Sequence, residues 1–117
     1  MSQLTAKIEA FADLLPDWNS YGAAEISDTA IRKAVAVVEY LDEMALDESI
    51  AVNAFPLPNG NVQIDVDIHS EMRGVEIECD FSGNATITYF DEKCEVVEGL
   101  TPEVNCQTIE DFLLNRI

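Results

Sequence analysis

Carboxylates are the residues of this chain whose spacing could do chemistry, and between residues 61 and 81 they fall at alternate positions. This stretch, NVQIDVDIHSEMRGVEIECDF, alternates apolar and polar residues almost without interruption. Such alternation predicts an antiparallel β-hairpin with one buried face. The apolar face comprises Val62, Ile64, Val66, Ile68, Val75, Ile77, Cys79 and Phe81. The polar face comprises Gln63, Asp65, Asp67, His69, Glu76, Glu78 and Asp80.

Two alignments of these strands remain open, and in both of them carboxylates oppose carboxylates. One sets Asp67 against Glu76 and Asp65 against Glu78. The other sets Asp67 against Glu78 and Asp65 against Asp80. Each opposed pair destabilises the hairpin by about 0.2 to 1 kcal/mol, and no Lys or Arg lies between residues 34 and 72 to relieve it. A sequence selected for stability alone would intersperse lysines, which favours a function for the polar face.

Three interpretations of this face stay open. It is a solvated surface that serves solubility, a docking surface for a basic protein, or an oxygen-rich site for Mg²⁺, Mn²⁺ or Ca²⁺. The metal site would combine Asp65, Asp67 and His69 with Glu76 or Glu78. A docking surface would also need uncharged residues beside the carboxylates, to be buried on contact. We expect these to be Val52 and Ala54 on one side and Thr86, Thr88 and Phe90 on the other.

Enzyme chemistry finds little support in the sequence. There is no nucleophile elbow, phosphate-binding loop, dinucleotide fingerprint or zinc-protease motif. The single histidine, His69, is predicted on the face opposite Cys79, and Cys94 and Cys106 show no ligand spacing. The cysteines are therefore interpreted as small buried hydrophobes, and we expect no catalytic residue, cofactor or resident metal.

Composition limits the classes of partner. The 117 residues include 23 acids and 6 bases, for a net charge of −17, which argues against binding nucleic acid or an anionic membrane. The length suits one domain, residues 1–117. An odd cysteine count without a disulfide pattern, an N-terminus without a basic leader and no long apolar run predict a soluble, cytoplasmic protein.

Periodicity predicts an α+β fold. The expected elements are a helix over 2–15, a helix from Ser27 or Asp28 to about Met44, an edge strand over 50–57, the central hairpin, a strand containing Ala85, Ile87 and Tyr89, a short strand over 94–98 and a helix capped by Thr108. They form an antiparallel meander of four to five strands with helices packed on one face, in the order α-α-β-β-β-β-(β)-α. The edge strand leaves both a monomer and a homodimer open.

Turn residues predict how these strands connect. Asn59 and Gly60 suit a two-residue turn, which would place Leu57 opposite Val62 and Phe55 opposite Ile64. Ser82, Gly83 and Asn84 mark the next turn, for which a three-residue loop keeps Ala85, Ile87 and Tyr89 on the inner face.

The loop between the helices holds the only tryptophan, Trp18, with Tyr21 three residues later. Such aromatics either fix a loop on the core or anchor a partner. The segments WNSYGA and PLPNGNVQIDV resemble a group of short bacterial and phage proteins that carry a W-[DN]-[GS]-Y-G-A loop and a P-x-P-x-G-x-V-Q hairpin. The resemblance spans about residues 14 to 66; it implies a prokaryotic or phage origin and no particular activity.

These observations together predict a non-enzymatic protein-binding module, of the inhibitor or antitoxin kind. Its partner would be a basic protein that handles nucleic acid. The residues expected to contact the partner are Asp65, Asp67, His69, Glu76, Glu78, Asp80, Phe90, Trp18 and Tyr21. The alternatives are a strict nucleic-acid mimic of the anti-restriction or anti-CRISPR type, a divalent-metal-dependent hydrolase, and a domain whose acidic face is only solvated.

Overall fold

A computed structural model describes residues 2–43, 50–68 and 73–90. Two helices precede a four-stranded antiparallel sheet in these residues, and the strands follow one another across it in chain order. The elements are α1 (Ser2–Ala10), a 3-10 turn (Phe11–Asp13), α2 (Asp28–Glu43), β1 (Ile50–Pro56), β2 (Val62–Ile68), β3 (Arg73–Cys79) and β4 (Ala85–Phe90). This order confirms the predicted α+β meander. His69, the strand expected at 94–98 and the helix expected from Thr108 lie outside the described residues.

The first helix is shorter than its predicted span of 2–15. It ends at Ala10 and tightens into the 3-10 turn, where the Leu14 N–H donates to the Phe11 carbonyl at 3.1 Å. Leu14 takes an extended conformation, with φ −74° and ψ 123°, so the chain leaves the helical conformation one residue before Leu15, the residue that Pro16 restricts.

The second helix begins as the sequence predicts. The Ser27 hydroxyl accepts from the Ala30 N–H at 3.3 Å, which makes Ser27 the N-cap. The apolar stripe of α2 is buried against the sheet, with Ala34, Val38 and Leu41 almost fully covered. The helix packs over β2 and β3, while α1 packs beside it and over β1. Both helices therefore lie on the apolar face of the sheet.

The β1–β2 turn differs from the prediction by one residue. The Leu57 N–H donates to the Asn61 carbonyl at 2.9 Å, so that Pro58, Asn59 and Gly60 form a three-residue loop. Only Gly60 takes a positive φ, +91°, as expected for a turn that ends in a bulge. The predicted two-residue turn is therefore wrong.

This change of one residue reverses the faces of β1. Ala54 lies opposite Ile64 and Phe55 opposite Gln63, so the predicted pairs Leu57–Val62 and Phe55–Ile64 are wrong. Ala54 and Val52 belong to the core side, where Ala54 is buried. Phe55 lies on the polar face and is 40% exposed.

The β3–β4 turn has the expected three residues, one position earlier in the chain. The Asp80 N–H donates to the Asn84 carbonyl at 3.0 Å, and the loop is Phe81, Ser82 and Gly83. Ile87 and Tyr89 are buried on the inner face, as predicted. Phe81 does not join the apolar face, because it lies in the loop and is 73% exposed.

The helical layer is joined to the sheet at the β1–β2 turn. The Ala24 N–H donates to the Pro58 carbonyl at 2.8 Å and the Ser27 N–H to the Gly60 carbonyl at 2.9 Å. A methyl group on Gly60 would lie 2.8 Å from the Glu25 carbonyl oxygen, closer than real Cβ contacts allow. The segment 24–27, which directly follows the WNSYGA loop, is therefore in contact with the PNG turn.

Gly60→Ala should destabilise the protein more than Gly83→Ala. Both glycines have a positive φ, +91° at Gly60 and +82° at Gly83. A side chain in this conformation costs about 1 to 2 kcal/mol. A Cβ atom added at Gly83 would lie 3.4 Å from Thr29 Cγ2, the methyl group of a side chain. A Cβ atom added at Gly60 would instead meet the backbone carbonyl of Glu25. Urea denaturation of both variants measures the difference. Equal losses of unfolding free energy would contradict the Glu25 contact.

Candidate functional site: the acidic sheet face

The acidic face is the side of the sheet away from the helices, and its carboxylates come from the two central strands. We define it by Asp65 and Asp67 of β2 and by Glu76 and Glu78 of β3. All four alternate with buried residues of the core, as the sequence predicts. Both helices pack on the opposite side, so neither of them covers these carboxylates.

The register of β2 and β3 matches neither predicted alignment. Asp65 lies opposite Glu76, whereas Asp67 lies opposite Gly74 and Glu78 lies opposite Gln63. The face therefore contains one directly opposed carboxylate pair instead of two. This register also sets Ile64 against Ile77 in the core, so it buries the apolar residues while it spreads the charges apart.

Gly74 provides the space that Asp67 uses. A methyl group on Gly74 would lie 2.9 Å from Asp67 Oδ1 and 2.9 Å from the Val66 carbonyl oxygen. The Asp67 carboxylate therefore leans across the strand onto the glycine. A glycine inside a strand often marks such a close approach, which is the signal that the sequence offered for this contact.

The four carboxylates form a diagonal stripe across the two strands. Side chains two residues apart on one strand are about 7 Å apart, and directly opposed residues are about 5 Å apart. The stripe therefore runs from Asp67 to Asp65, crosses to Glu76 and ends at Glu78, with spacings of about 7, 5 and 7 Å.

Amide groups bind two of these carboxylates in place of cations. Gln63 Nε2 donates to Asp65 Oδ1 at 2.9 Å, and Asn61 Nδ2 donates to Glu78 Oε2 at 2.7 Å. Asn61 is itself buried. An amide satisfies one oxygen without neutralising the charge, so the stripe is held in place and stays negative. Nothing in the spacing of Asn61 or Gln63 along the chain marks it as a partner of these carboxylates.

The central pair holds protons more tightly than isolated carboxylates do. Burial raises the pKa of Asp65, the Gln63 hydrogen bond partly lowers it, and the neighbouring Asp67 charge raises it further. Burial likewise raises the pKa of Glu76, and the charges of Asp65 and Asp67 add to this effect. In the part of the chain that the structure describes, none of the four carboxylates has an ion-pair partner.

Polar and aromatic residues border the stripe on both sides. On β4, Thr88 lies opposite Glu76 and Thr86 opposite Glu78, as expected. On β1 the border is Asn53 and Phe55, not the predicted Val52 and Ala54, because the longer turn reverses that strand. The backbone of Phe90 pairs with Gly74, and its side chain lies outside the described residues.

Lys7 of α1 reaches the border at β1. Its Nζ donates to Asn53 Oδ1 at 2.8 Å and lies 5.4 Å from the centroid of the Phe55 ring. This places a cation–π contact at the edge of the sheet and fixes the orientation of Phe55. Spacing along the sequence gave no signal of it, because the two residues belong to separate elements.

Asp80 belongs to the β3–β4 turn. Its Oδ1 accepts from the Ser82 N–H at 2.9 Å and from the Asn84 N–H at 3.1 Å. An aspartate that binds the backbone two residues later is a common stabiliser of turns. The carboxylate is thus engaged at the end of the strand, beyond Glu78.

The two aromatics of the connecting loop have different environments. Trp18 is half-buried against the core, and its Nε1 donates to the Ala24 carbonyl at 3.0 Å. Tyr21 is 90% exposed. The core-fixing interpretation therefore fits Trp18, while Tyr21 is available for contact with a partner.

The placement of possible metal ligands and of Cys79 bears on metal and nucleophile chemistry. Among residues 2–43, 50–68 and 73–90, no three histidine, cysteine or acidic side chains are placed to hold a metal ion. His69, which the predicted metal site requires, lies outside these ranges. Cys79 is buried, and burial raises the pKa of its thiol to about 12, so it is protonated at neutral pH.

Neither the described helices nor comparison with known proteins points to a particular class of protein. In the described ranges, a helix with the length and hydrophobicity needed to span a membrane is absent. No family model, curated protein or solved structure matches the chain, so the resemblance to bacterial and phage proteins stays a prediction.

Glu76→Gln should stabilise the protein at neutral pH. Because the pKa of Glu76 is raised on folding, the folded state loses stability as the pH rises from the unfolded value of about 4.3 through the higher folded value. Burial disfavours the charge of Glu76, and the opposed Asp65 disfavours it further. Removing the charge should therefore add stability at pH 7, of which about 0.2 to 1 kcal/mol comes from the opposed pair, and the gain should vanish toward pH 4 and below.

Urea denaturation between pH 3 and pH 8 measures this effect. Glu39→Gln, on the exposed side of α2, removes the same charge away from the sheet and is the matched control. A gain for Glu76→Gln that is independent of pH, or no larger than that of Glu39→Gln, would contradict the charge pair.

Cys79 should resist alkylation in the folded protein. Iodoacetamide reacts with the thiolate, which is scarce at pH 8 for a buried thiol whose pKa is about 12. Peptide mass spectrometry after a brief treatment should find the Cys79 peptide unmodified in buffer and modified in urea. Rapid modification without urea would indicate an accessible, reactive thiol and would contradict the interpretation of Cys79 as a small buried hydrophobe.

Proposed function

We propose that this chain is a non-enzymatic protein-binding module whose acidic face docks on a basic protein. The observation that carries the proposal is the set of four carboxylates on a sheet face that neither helix covers. Amides bind two of them, and among the described residues none has an ion-pair partner. Two of these carboxylates have raised pKa values, so the arrangement lowers the stability of the free protein at neutral pH.

A basic partner would remove this cost. Lys or Arg side chains placed over the Asp65–Glu76 pair replace like-charge repulsion by attraction, and part of the binding free energy then comes from relief of that repulsion. The net charge of −17 also accelerates the encounter with a basic protein at low ionic strength.

The border of the stripe suits a protein partner better than a free cation. Phe55 is partly exposed and held by Lys7, so it offers apolar area next to the charges. Thr86 and Thr88 add uncharged contact area on the other side. An interface gains its affinity from such apolar contacts and its rate and orientation from the charges.

The class of partner follows from the same chemistry. Proteins that bind nucleic acid carry grooves of Lys and Arg shaped for phosphates, and an acidic face can occupy such a groove. We therefore propose an inhibitor or antitoxin-like protein that acts on a nucleic-acid-handling protein; the prokaryotic or phage origin is proposed from the sequence resemblance alone. Proteins of this kind need no catalytic residue or cofactor.

The test is retention of a partner from host lysate on the immobilised protein. Wild type should retain a basic protein at low salt and release it at about 0.5 M salt, where the Debye length is about 4 Å. Asp67→Lys combined with Glu78→Lys should abolish retention, since the substitutions reverse both ends of the stripe.

The control variant changes the net charge equally and leaves the acidic face intact. Glu9→Lys combined with Glu39→Lys reverses two exposed helical carboxylates and should retain the partner almost as well as wild type. Equal losses in the two double variants would mean that only total charge matters. Loss of binding on addition of EDTA, together with sensitivity to Asp65→Asn alone, would support the metal-site interpretation instead.

A further inference from the structure

The loop between the helices holds an exposed aromatic ring on an ordered backbone. The Asp17 N–H donates to the Ala23 carbonyl at 2.7 Å and closes the loop. Asn19 Oδ1 accepts from the Tyr21 N–H at 2.8 Å and from the Ala23 N–H at 3.3 Å. Trp18 fixes the base of the loop on the core. Tyr21 therefore projects from a scaffold that is already formed.

The backbone of this loop is strained at two residues. Asp17 and Ser20 both adopt a left-handed conformation, with φ of +63° and +65°, which residues other than glycine seldom adopt. Strain of this kind persists only where surrounding contacts impose it, and it often occurs where a protein holds a ligand. Its result here is a tyrosine that is 90% exposed.

A carboxylate lies beside the tyrosine. Asp17 Oδ1 accepts from the N–H of Gly22, the residue after Tyr21, at 2.6 Å. One carboxylate oxygen thus orders the loop, and the residue as a whole stays exposed. The exposed ring of Tyr21 and the carboxylate bound at the next residue offer the two kinds of contact that a guanidinium group makes, because it stacks on rings and pairs with carboxylates.

The charge around the loop has the sign that such a ligand requires. No Lys or Arg lies between Lys7 and Arg32, and Arg32 is paired with Asp28 at 2.9 Å. The acidic residues of this stretch are Glu9, Asp13, Asp17, Glu25 and Asp28. A cationic side chain that approaches Tyr21 therefore meets no competing cation from this part of the chain.

We propose that Tyr21 and the Asp17 carboxylate form a recognition site for an arginine side chain of a partner protein. The guanidinium stacks on the ring of Tyr21 and donates to the Asp17 carboxylate. The acidic face consists of β2 and β3 residues, so the loop contributes no residue to it and the two sites can be tested by separate variants. The recognition site goes beyond the proposed function and does not depend on it.

The test uses a defined probe, a short peptide of alternating glycine and arginine that is acetylated and amidated at its ends. Amide chemical shifts are followed by NMR at about 0.15 M salt, where distant charges are screened. The amides of Tyr21 and Gly22 should shift with the arginine peptide. They should not shift with the citrulline peptide, which keeps the shape and lacks the charge.

Variants separate the ring from the charge. Tyr21→Ala should weaken binding of the arginine peptide about 3- to 10-fold, whereas Tyr21→Phe keeps the ring and should bind within about twofold of wild type. Asp17→Asn should also weaken binding. It keeps an oxygen for the Gly22 N–H and a residue type that tolerates a positive φ, so the loop stays folded while the charge is lost.

Tyr40→Ala is the matched control, because it removes another exposed tyrosine, on α2. It should leave the affinity unchanged. Equal affinities of Tyr21→Ala and Tyr40→Ala, or equal shifts with arginine and citrulline, would overturn the proposal. Shifts confined to residues of the acidic face would overturn it as well, and would leave the docking function of that face intact. Conversely, loss of that function would not change the result at Tyr21.

Discussion

The pairing of β2 with β3 is the constraint on which both faces of this protein depend. One register sets Ile64 against Ile77 inside the core and Asp65 against Glu76 outside it. A shift by one residue would bring the acids into the core, and a shift by two would disturb the contact between Asp67 and Gly74. The apolar side thus fixes a charge arrangement that would not form for its own stability.

The cost of that arrangement is limited by uncharged neighbours. Gly74 and Gln63 stand opposite Asp67 and Glu78, so only the central pair meets directly. Amide donors at Asn61 and Gln63 orient the remaining oxygens. This differs from a surface on which acids alternate with lysines for solubility. It leaves negative charge that is positioned and unneutralised, which is the condition for docking a basic surface.

Periodicity was sufficient to predict the presence of the two described helices, the order of the four described strands and the faces of β2 and β3, because alternation in 62–68 and 75–79 leaves only one side to bury. Loop length was not predictable from turn residues, since Asn59-Gly60 suits loops of two or three residues, and the choice reverses β1. The register of β2 and β3 was also not predictable from the sequence, because it depends on how Ile64 packs against Ile77 in the core. Contacts between separate elements, such as Lys7 with Phe55, leave no trace in local spacing.

Spacing in the sequence grouped Trp18 with Tyr21, and the fold separates their roles. Ala24 and Ser27, which follow the WNSYGA loop, bind the PNG turn, and Trp18 packs against the core and donates to the Ala24 carbonyl. The hydrogen bonds that order the loop involve the backbone of Tyr21, whereas the residue is 90% exposed and its ring lies in solvent. A buried aromatic explains why the loop keeps its shape, whereas the exposed one contributes nothing to that shape. That exposed ring is the contact that the proposed arginine recognition would use.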